Sequence, residues 1–515
     1  MANFFQPQDR RVIPNWRSFR KTTILGELDP LHTGGASRVT GALLNEYLES
    51  WGHSSSIMSA ADLVSAALVN GHFEGTAVVA AADYLLANPK DSTQAQREIA
   101  RSIKRNHQEK NAGFMLERIT SAVLHDFIKR DIVVLRIREA KTRLRSFPNN
   151  AVMWVELSRC YSILGQAQQA KRAMECAIQL APNNRFIVRS AVRLFTHFDE
   201  LELAHDVISK SGNLIHDPWL LSADIALATL RGRNSRHLKA GLKLVDSTSL
   251  SPFSRTELAS ALGTVQLTDG TLKQSRKLFQ LALTAPNDNS LAQAEWAVRK
   301  EPAIGINVIG ASARFDFEAS ALEAYQQGHF AVALDYTAQW FLDMPFARRP
   351  VMLGSHIAST LLNQQDVSIE FLKAGLVSHP NDPQIVNNIA YALALDNKPD
   401  EAFHYLQRVR PHESMDETIR VCLLATRGLV HFRNGTVEVG RKLYQQAIDE
   451  SNRLKKPYFT RLAMLNYARE EVMVNSEYVP EVMELVGIIP DDPQHEDLKE
   501  LKHQVDTLFQ QLKSK

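Results

Sequence analysis

A run of basic side chains in the amino-terminal third is the first candidate for binding chemistry. Between Arg97 and Arg145 the sequence holds 13 Lys and Arg against 6 Asp and Glu. Helical spacing would place Arg97, Arg101, Lys104 and Arg105 on one face. Because guanidinium and ammonium groups bind phosphates and carboxylates, this face is a candidate site for RNA, DNA or an acidic protein. The alternative is an ordinary solvated face.

Signatures of catalysis are absent from the sequence. It contains no G-x-x-x-x-G-K-[ST] loop, no G-x-S-x-G elbow, no H-E-x-x-H and no C-x-x-C. Its 17 histidines are scattered, and none is paired with cysteine or carboxylate at the spacing of metal ligands. We therefore expect no catalytic residue, no metal site and no cofactor, and we expect that the protein is not an enzyme.

The elements that would position a binding site are clearest in residues 151–184. Apolar and small residues recur there at helical spacing on either side of a glycine, and a proline follows. The pattern runs Trp154, Leu157 and Tyr161, then Gly165, then Ala170, Met174 and Ala177, then Pro182. Because proline cannot continue a helix, this stretch predicts two amphipathic helices joined by a short turn and closed at the proline.

Prolines continue the same spacing along the chain. They fall at 148, 182, 218, 252 and 286, in steps of 34, 36, 34 and 34 residues. The order W-x2-L-x3-Y, A-x3-hydrophobic and closing Pro resembles the tetratricopeptide repeat, with Ser158 where that family usually has Gly. The resemblance implies an all-α fold, a right-handed superhelical solenoid of antiparallel helix pairs. It also implies that the protein binds other molecules rather than transforms them.

The resemblance extends over roughly residues 58–470, and changes of rhythm divide the chain. The step from Pro286 to Pro345 is 59 residues, and the intervening segment holds two glycines and β-branched residues, which predicts an extended joint between two lobes. The predicted units are residues 1–57, a non-repeat cap or arm; 58–147, degenerate and basic helical repeats; 148–300, lobe 1; 301–316, the joint; 317–470, lobe 2; and 471–515, an acidic segment followed by a cap helix.

A basic floor in lobe 1 follows from the resemblance. In similar proteins the first helix of each repeat lines the concave face, and the positions one, two and five places after the opening apolar residue point into the groove. In the first two clear repeats these positions hold three arginines, which we call the arginine row: Arg159, Arg189 and Arg193. Their planar forks could hold carboxylates or phosphates, whereas the alternative is exposed polar residues without a ligand.

A second cluster occupies the same positions in the repeat at 383–411, namely Asn387, Asn388 and Tyr391. An amide both donates and accepts hydrogen bonds, so it could hold an extended peptide in one register. The two-carboxylate clamp of chaperone-binding members is not expected, since only Asn388 matches it. Cys422 and Thr426 stand where the next repeat would need basic residues.

The totals agree with a binding protein inside the cell. The net charge of +2 is too close to neutral to indicate a nucleic-acid or membrane partner by itself. The 3 cysteines are widely spaced, which suggests a reducing compartment. We see no secretory signal and no membrane span in the sequence, so we expect a cytoplasmic protein.

Two functions therefore agree with the sequence. The first is a scaffold or adaptor subunit that binds a protein or peptide partner in its concave groove. The alternative is a nucleic-acid-associated subunit that uses the basic helices of residues 97–145 and the arginine row. The sequence does not identify the partner, the pathway or the oligomeric state.

Overall fold

The computed structural model describes residues 41–70, 75–93, 96–97, 99–101, 103–104, 130–247, 250–309, 311–313, 316–409, 415–490 and 495–514. Every regular element in these ranges is a helix, which confirms the predicted all-α class. No helix in the described part of the chain is both long and apolar enough to cross a membrane.

The amino-terminal helices form a unit with its own core. They are α1 (Gly41–His53), α2 (Ile57–Asn70) and α3 (Thr76–Ala87). Trp51 and Tyr84 pack edge to face, with ring centroids 5.5 Å apart. Ala100 and Ile103 are buried in the same cluster. Of the predicted cap or arm, residues 1–40 lie outside the described residues.

Lobe 1 is a series of helical hairpins. Its helices are preceded by α4 (Arg130–Ser146) and run α5 (Ala151–Ile163), α6 (Ala167–Leu180), α7 (Arg185–His197), α8 (Leu201–Ser209), α9 (Pro218–Leu230), α10 (Leu238–Val245), α11 (Pro252–Thr268), α12 (Leu272–Ala282) and α13 (Asp288–Lys300). Turns of a few residues make successive helices antiparallel. Each hairpin stacks on the next, as the periodicity predicts.

Short polar side chains decide where these helices begin. The residue before each first helix of lobe 1 accepts a hydrogen bond from an amide of the first turn, as N-caps do. These residues are Asn150, Asn184, Asp217, Ser251 and Asn287. Pro218 and Pro252 were expected to close a repeat, but each is the first residue of the next helix. A proline is favourable there because its missing N–H would have had no helical partner.

Residues 301–316 follow α13 at the place where a second helix of the repeat would come. They begin with a 3₁₀ turn, Pro302–Ile304. Arg276 of α12 donates to the carbonyl oxygens of Ala303 and Ile304. Ile304 and Ile306 are buried against the neighbouring helices. The start of the segment is thus packed onto lobe 1, whereas the role of the segment as a flexible joint stays a prediction.

Lobe 2 repeats the hairpin pattern. Its helices are α14 (Phe317–Gln326), α15 (Phe330–Asp343), α16 (Arg348–His356), a π-helix (Ile357–Leu361), α17 (Gln365–Ser378), α18 (Pro383–Leu395), α19 (Pro399–Gln407), α20 (Glu417–Arg433), α21 (Val437–Arg453) and α22 (Pro457–Met473). Two further helices, α23 (Val479–Gly487) and α24 (Glu496–Lys513), follow α22. α24 buries Leu498, Leu501 and Val505.

The two lobes pack on each other. Arg159 of α5 donates to the carbonyl oxygen of Asp343 at 3.4 Å, and its guanidinium lies 6.0 Å from the ring centroid of Phe346. Gly165 is so close to lobe 2 that an added Cβ would lie 2.9 Å from the carbonyl oxygen of Ser378. One buried apolar cluster accordingly includes residues of both lobes. The coil therefore brings its early hairpins against later ones.

The same kind of ion pair joins two successive first helices once in each lobe. Arg185 opens α7 and its Nε lies 2.6 Å from Oδ2 of Asp217, the N-cap of α9. Arg348 opens α16 and makes the same contact, also at 2.6 Å, with Asp382, the N-cap of α18. Because the aspartate both caps a helix and binds an arginine, it sets the spacing of adjacent repeats.

Candidate functional site

The inner surface of lobe 2 encloses a cavity of about 470 Å³. Most of its lining comes from the first helices of successive repeats, α16, α18, α20 and α22, which face the inside of the coil. α24 closes one side with Asp497, Leu501 and Gln504. We call this space the lobe 2 cavity. Its size is that of an ordinary ligand pocket.

Local sequence fixes the wall that carries the predicted amide cluster. The side chain of Asp382 accepts hydrogen bonds from the amides of Gln384 and Ile385, which starts α18. Pro383 occupies the first position of the helix, where proline is favoured. α18 then presents Asn387, Asn388 and Tyr391 toward the cavity, within one turn of each other. The three residues of the predicted amide cluster thus line one surface, and their role in partner binding stays a prediction.

A π-helical turn forms another part of the cavity wall. α16 continues into Ile357–Leu361, where the amide of Leu362 donates to the carbonyl oxygen of Ile357 at 3.0 Å. Such turns are rare and often occur at functional sites. Ser359 and Thr360 of this turn line the cavity, together with Asn363, whose φ is 51°. The sequence analysis did not predict this turn.

Asn387 has an unused polar atom in the cavity wall. The residue is only 5% exposed, and its Nδ2 donates to Oδ1 of Asn388 at 3.4 Å. In the described part of the chain Asn387 Oδ1 has no hydrogen-bond partner. A buried amide oxygen without a partner costs free energy, and a ligand N–H would supply the missing bond.

Tyr391 connects α18 to α22 across the cavity. Its hydroxyl donates to Oδ1 of Asn466 at 2.9 Å and accepts from Nη1 of Arg469 at 3.5 Å. Asn466 in turn donates through Nδ2 to the carbonyl oxygen of Leu462 at 2.8 Å. Asn466 and Arg469 both line the cavity. Sequence reasoning missed them, although their separation by three residues places them on one helix face.

Burial favours the neutral form of three titratable groups in the cavity wall. Burial lowers the pKa of His356 well below 6.5 and raises the pKa of the Cys422 thiol from 9.0 to about 11. Burial, with Asp497 beside it, raises the pKa of Tyr458 well above 10.0. Among the described residues, no group of three or more His, Cys, Asp or Glu lies close enough together to hold a metal ion. The cavity therefore offers neutral hydrogen-bonding groups, arginines and the carboxyl group of Asp497.

The arginine row lies elsewhere, in lobe 1. Arg189 donates through Nη2 to both carboxylate oxygens of Glu257, at 2.7 and 3.0 Å, and its guanidinium lies over the Trp219 ring. Arg159 is buried at the contact between the lobes. Arg193 is half-buried in α7. Arg159 and Arg189 thus hold internal contacts, and a role of the row in partner binding stays a prediction.

The basic face near residue 100 is also partly engaged. Arg97 donates to the carbonyl oxygens of Pro89 and Ser92, and Lys104 pairs with Asp83. Arg101 is exposed. Arg105 lies outside the described residues, and anion binding by this face stays a prediction.

The described helices define a class: an α-solenoid of helical hairpins similar to tetratricopeptide repeats. No family model matches the sequence, and no curated protein matches it. Among solved structures, one similar chain belongs to the structure of Naa15/Naa10 bound to HypK-THB. The identity is 12%, the match covers 94% of this chain and 86% of that chain, and the TM-score is 0.26. A TM-score of this size supports no argument, so the class depends on the helices and their contacts alone.

Proposed function

We propose that this protein is a non-catalytic scaffold or adaptor subunit of the cytoplasm that holds an extended segment of a protein partner in the lobe 2 cavity. The observation that carries the proposal is the wall of α18. Asn387, Asn388 and Tyr391 line one enclosed space, and the buried Oδ1 of Asn387 has no partner among the described residues. An extended peptide supplies main-chain N–H and C=O groups in a regular row, which is what amide side chains can pair with.

The dimensions of the site agree with this role. A solenoid groove contacts a segment through several successive repeats, so modest contacts add up. The cavity wall includes residues from four such repeats and from α24. Its apolar side chains, among them Met352, Ile419 and Leu462, would bury apolar parts of the bound segment.

Affinity purification of the tagged full chain, read by mass spectrometry with and without nuclease, tests the proposal. We compare the wild type with the double variant Asn387→Ala/Asn388→Ala. The matched control is Asn289→Ala, which removes another buried amide whose Oδ1 has no partner in the described structure and which does not line the cavity. We expect a stoichiometric protein partner that survives nuclease, is retained by the control and is lost from the double variant. Equal recovery by all three proteins would contradict the proposal.

Association with nucleic acid is the second candidate, and α4 is the observation that favours it. This helix exposes six basic residues against Asp131 and Glu139. The basic residues are Arg130, Arg136, Arg138, Lys141, Arg143 and Arg145. If they contact phosphates, binding of a labelled single-stranded RNA should weaken steeply between about 50 and 200 mM salt. Binding that does not change over this interval would remove the candidate.

A further inference from the structure

Arg469 is a buried arginine with an unused donor in the lobe 2 cavity. The residue is only 6% exposed and lines the cavity from α22. Its Nε donates to Oε1 of Glu470 at 2.8 Å, and its Nη1 reaches the hydroxyl oxygen of Tyr391. Nη2 is buried and has no hydrogen-bond partner in the described part of the chain. The guanidinium of Arg469 is therefore held through Nε and Nη1, whereas Nη2 remains able to donate to a ligand.

The charge around Arg469 is unbalanced. Glu470 is almost fully buried, and its carboxylate is shared by two arginines. Arg433 lies against it with Nε 2.6 Å from Oε2, and Arg469 takes Oε1. The next carboxylate along the helix, Glu471, is held by Arg441. Asp497 lines the cavity but accepts a hydrogen bond from the hydroxyl of Tyr458. Arg441 also pairs with the exposed Glu438, so the imbalance is confined to the buried part of the cluster. There two guanidiniums share the single carboxylate of Glu470, which leaves one buried positive charge in excess.

A buried charge in excess is costly unless an opposite charge approaches it. The neighbours of Arg469 hold its guanidinium in place, so that it can bind a negatively charged group. Tyr391 gives its proton to Asn466, so the hydroxyl presents its oxygen to Nη1 and holds the guanidinium plane in place. The side-chain amide of Asn387 lines the same cavity, and its Oδ1 has no hydrogen-bond partner among the described residues. A charged donor and a neutral amide therefore line one space.

We propose that Arg469 recognises a carboxylate, the side chain of an aspartate or glutamate in the extended partner segment, while Asn387 holds the main chain of that segment. This inference rests on the proposed function and adds the chemistry of its ligand. A carboxylate carries the single negative charge that the cluster lacks. A phosphorylated side chain would bring a charge of about −1.5 to −2 into a site that also contains Asp497, so we favour the carboxylate.

Selection of random-sequence peptides against the full chain, followed by direct binding, tests the inference. Peptides recovered with the wild type are synthesised with the acidic residue, with its amide counterpart (Asp→Asn or Glu→Gln) and with phosphoserine at the same position. Their dissociation constants are measured by fluorescence anisotropy. The amide counterpart should bind about tenfold more weakly or worse, because a charge-assisted hydrogen bond is stronger than a neutral one.

Protein variants assign the preference to Arg469. Arg469→Met should bind the acidic and amide peptides alike, and Arg469→Lys should keep a reduced preference for the acid. The control is Arg441→Met, which removes a neighbouring arginine paired with Glu471 and outside the cavity lining; it should keep the full preference. The peptide comparison on the wild type remains decisive even if Arg469→Met does not fold.

The outcomes separate the two proposals. Amide and acidic peptides that bind the wild type equally well overturn the recognition of a carboxylate and leave the proposed function standing. Recognition of a carboxylate is also overturned if phosphoserine binds more tightly than the acid, or if Arg469→Met keeps the acid preference. If no peptide is recovered, or if binding ignores Asn387→Ala/Asn388→Ala, both proposals fail.

Discussion

The imidazole rings of His197 in lobe 1 and His379 in lobe 2 meet edge to face, with their centroids 5.5 Å apart. His379 donates through Nε2 to the carbonyl oxygen of Phe346 at 2.9 Å. The ring of Phe346 lies 5.3 Å from that of His197, centroid to centroid. The lobes are thus joined by two imidazoles in an aromatic contact.

This contact predicts a loss of stability in mild acid. Burial, then the charges of His379 and Arg193, lowers the pKa of His197 from 6.5 to about 3, and burial lowers the pKa of His379. The unfolded chain therefore binds more protons than the folded chain below pH 6.5, so the stabilisation is complete above that pH and falls as the pH drops. Each such histidine should cost up to about 1.4 kcal/mol of unfolding free energy per pH unit.

Urea unfolding at about pH 7.5 and 5.5 measures this effect. His197→Phe keeps an aromatic ring but cannot be protonated, so the difference between the two pH values should shrink. The exposed His503 provides a control, His503→Gln, that should leave the difference as in the wild type. A difference that is equal in all three proteins would show that the histidine at the lobe contact does not respond to acid.

Gly165 should be more sensitive to substitution than an exposed glycine with the same backbone conformation. Its φ is 67°, and a Cβ would lie 2.9 Å from the carbonyl oxygen of Ser378. Gly270 has φ of 78° but nothing within 4 Å of an added Cβ. We expect Gly270→Ala to cost about 1 kcal/mol of stability from backbone strain, and Gly165→Ala about 1–3 kcal/mol more from overpacking against lobe 2.

Chemical denaturation of the two glycine variants gives these costs, and small-angle X-ray scattering shows whether the lobes separate. The radius of gyration should rise for Gly165→Ala alone. If both variants lose the same stability and the radius of gyration does not change, the contact between the lobes accommodates the added methyl group, which would contradict this prediction.

The buried pair of Arg185 and Asp217 should be far more important for stability than its counterpart in lobe 2. Arg185 and Asp217 are nearly inaccessible to water, whereas Arg348 is about one-third exposed. Removing one partner of a buried pair leaves an uncompensated charge, so Arg185→Met should cost about 3–5 kcal/mol. Arg348→Met, the repeat-equivalent control, should cost about 1 kcal/mol or less.

Calorimetry or urea unfolding distinguishes the two substitutions. The double variant Arg185→Met/Asp217→Asn should regain part of the loss, since it leaves no buried charge while the asparagine can still cap α9. Equal effects of Arg185→Met and Arg348→Met would argue against burial as the cause.

Tyr391→Phe should weaken partner binding more than it weakens the fold. The substitution removes the hydroxyl that joins Asn466 to Arg469. It should cost about 1–2 kcal/mol of binding free energy, because two polar groups of the site lose a partner. Tyr467→Phe is the control: its hydroxyl bonds to Glu471, outside the cavity lining. Both should be slightly less stable in denaturant, but only Tyr391→Phe should lower affinity for a selected peptide. Parallel losses of affinity in both would contradict the assignment of Tyr391 to the site.

Prediction from sequence succeeded where structure is local. Trp154, Leu157 and Tyr161 share one helix face because of helical spacing alone, and Asn387, Asn388 and Tyr391 lie together for the same reason. α6 ends at Leu180, two residues before Pro182, since proline blocks the continuation of a helix. Within a repeat, neighbours in space are neighbours in sequence, so the pattern is sufficient.

Prediction was limited where residues of distant repeats meet. Nothing near Arg189 in the chain shows that its guanidinium will bind Glu257 two repeats later, so it was expected to face an open groove. Asn466 and Arg469 were missed because they reach the amide cluster only through the curvature of lobe 2. The closure of the cavity by α24 likewise depends on the path of the coil.

The sequence by itself determined that this chain is a solenoid of helical hairpins, because its period, its caps and its prolines act over a few residues at a time. The tertiary structure alone decided which polar groups satisfy one another and which remain available. Burial and pairing depend on how the coil brings repeats together. This is why Arg189 is paired with Glu257, whereas Arg469, which lines the lobe 2 cavity, keeps a donor without a partner among the described residues.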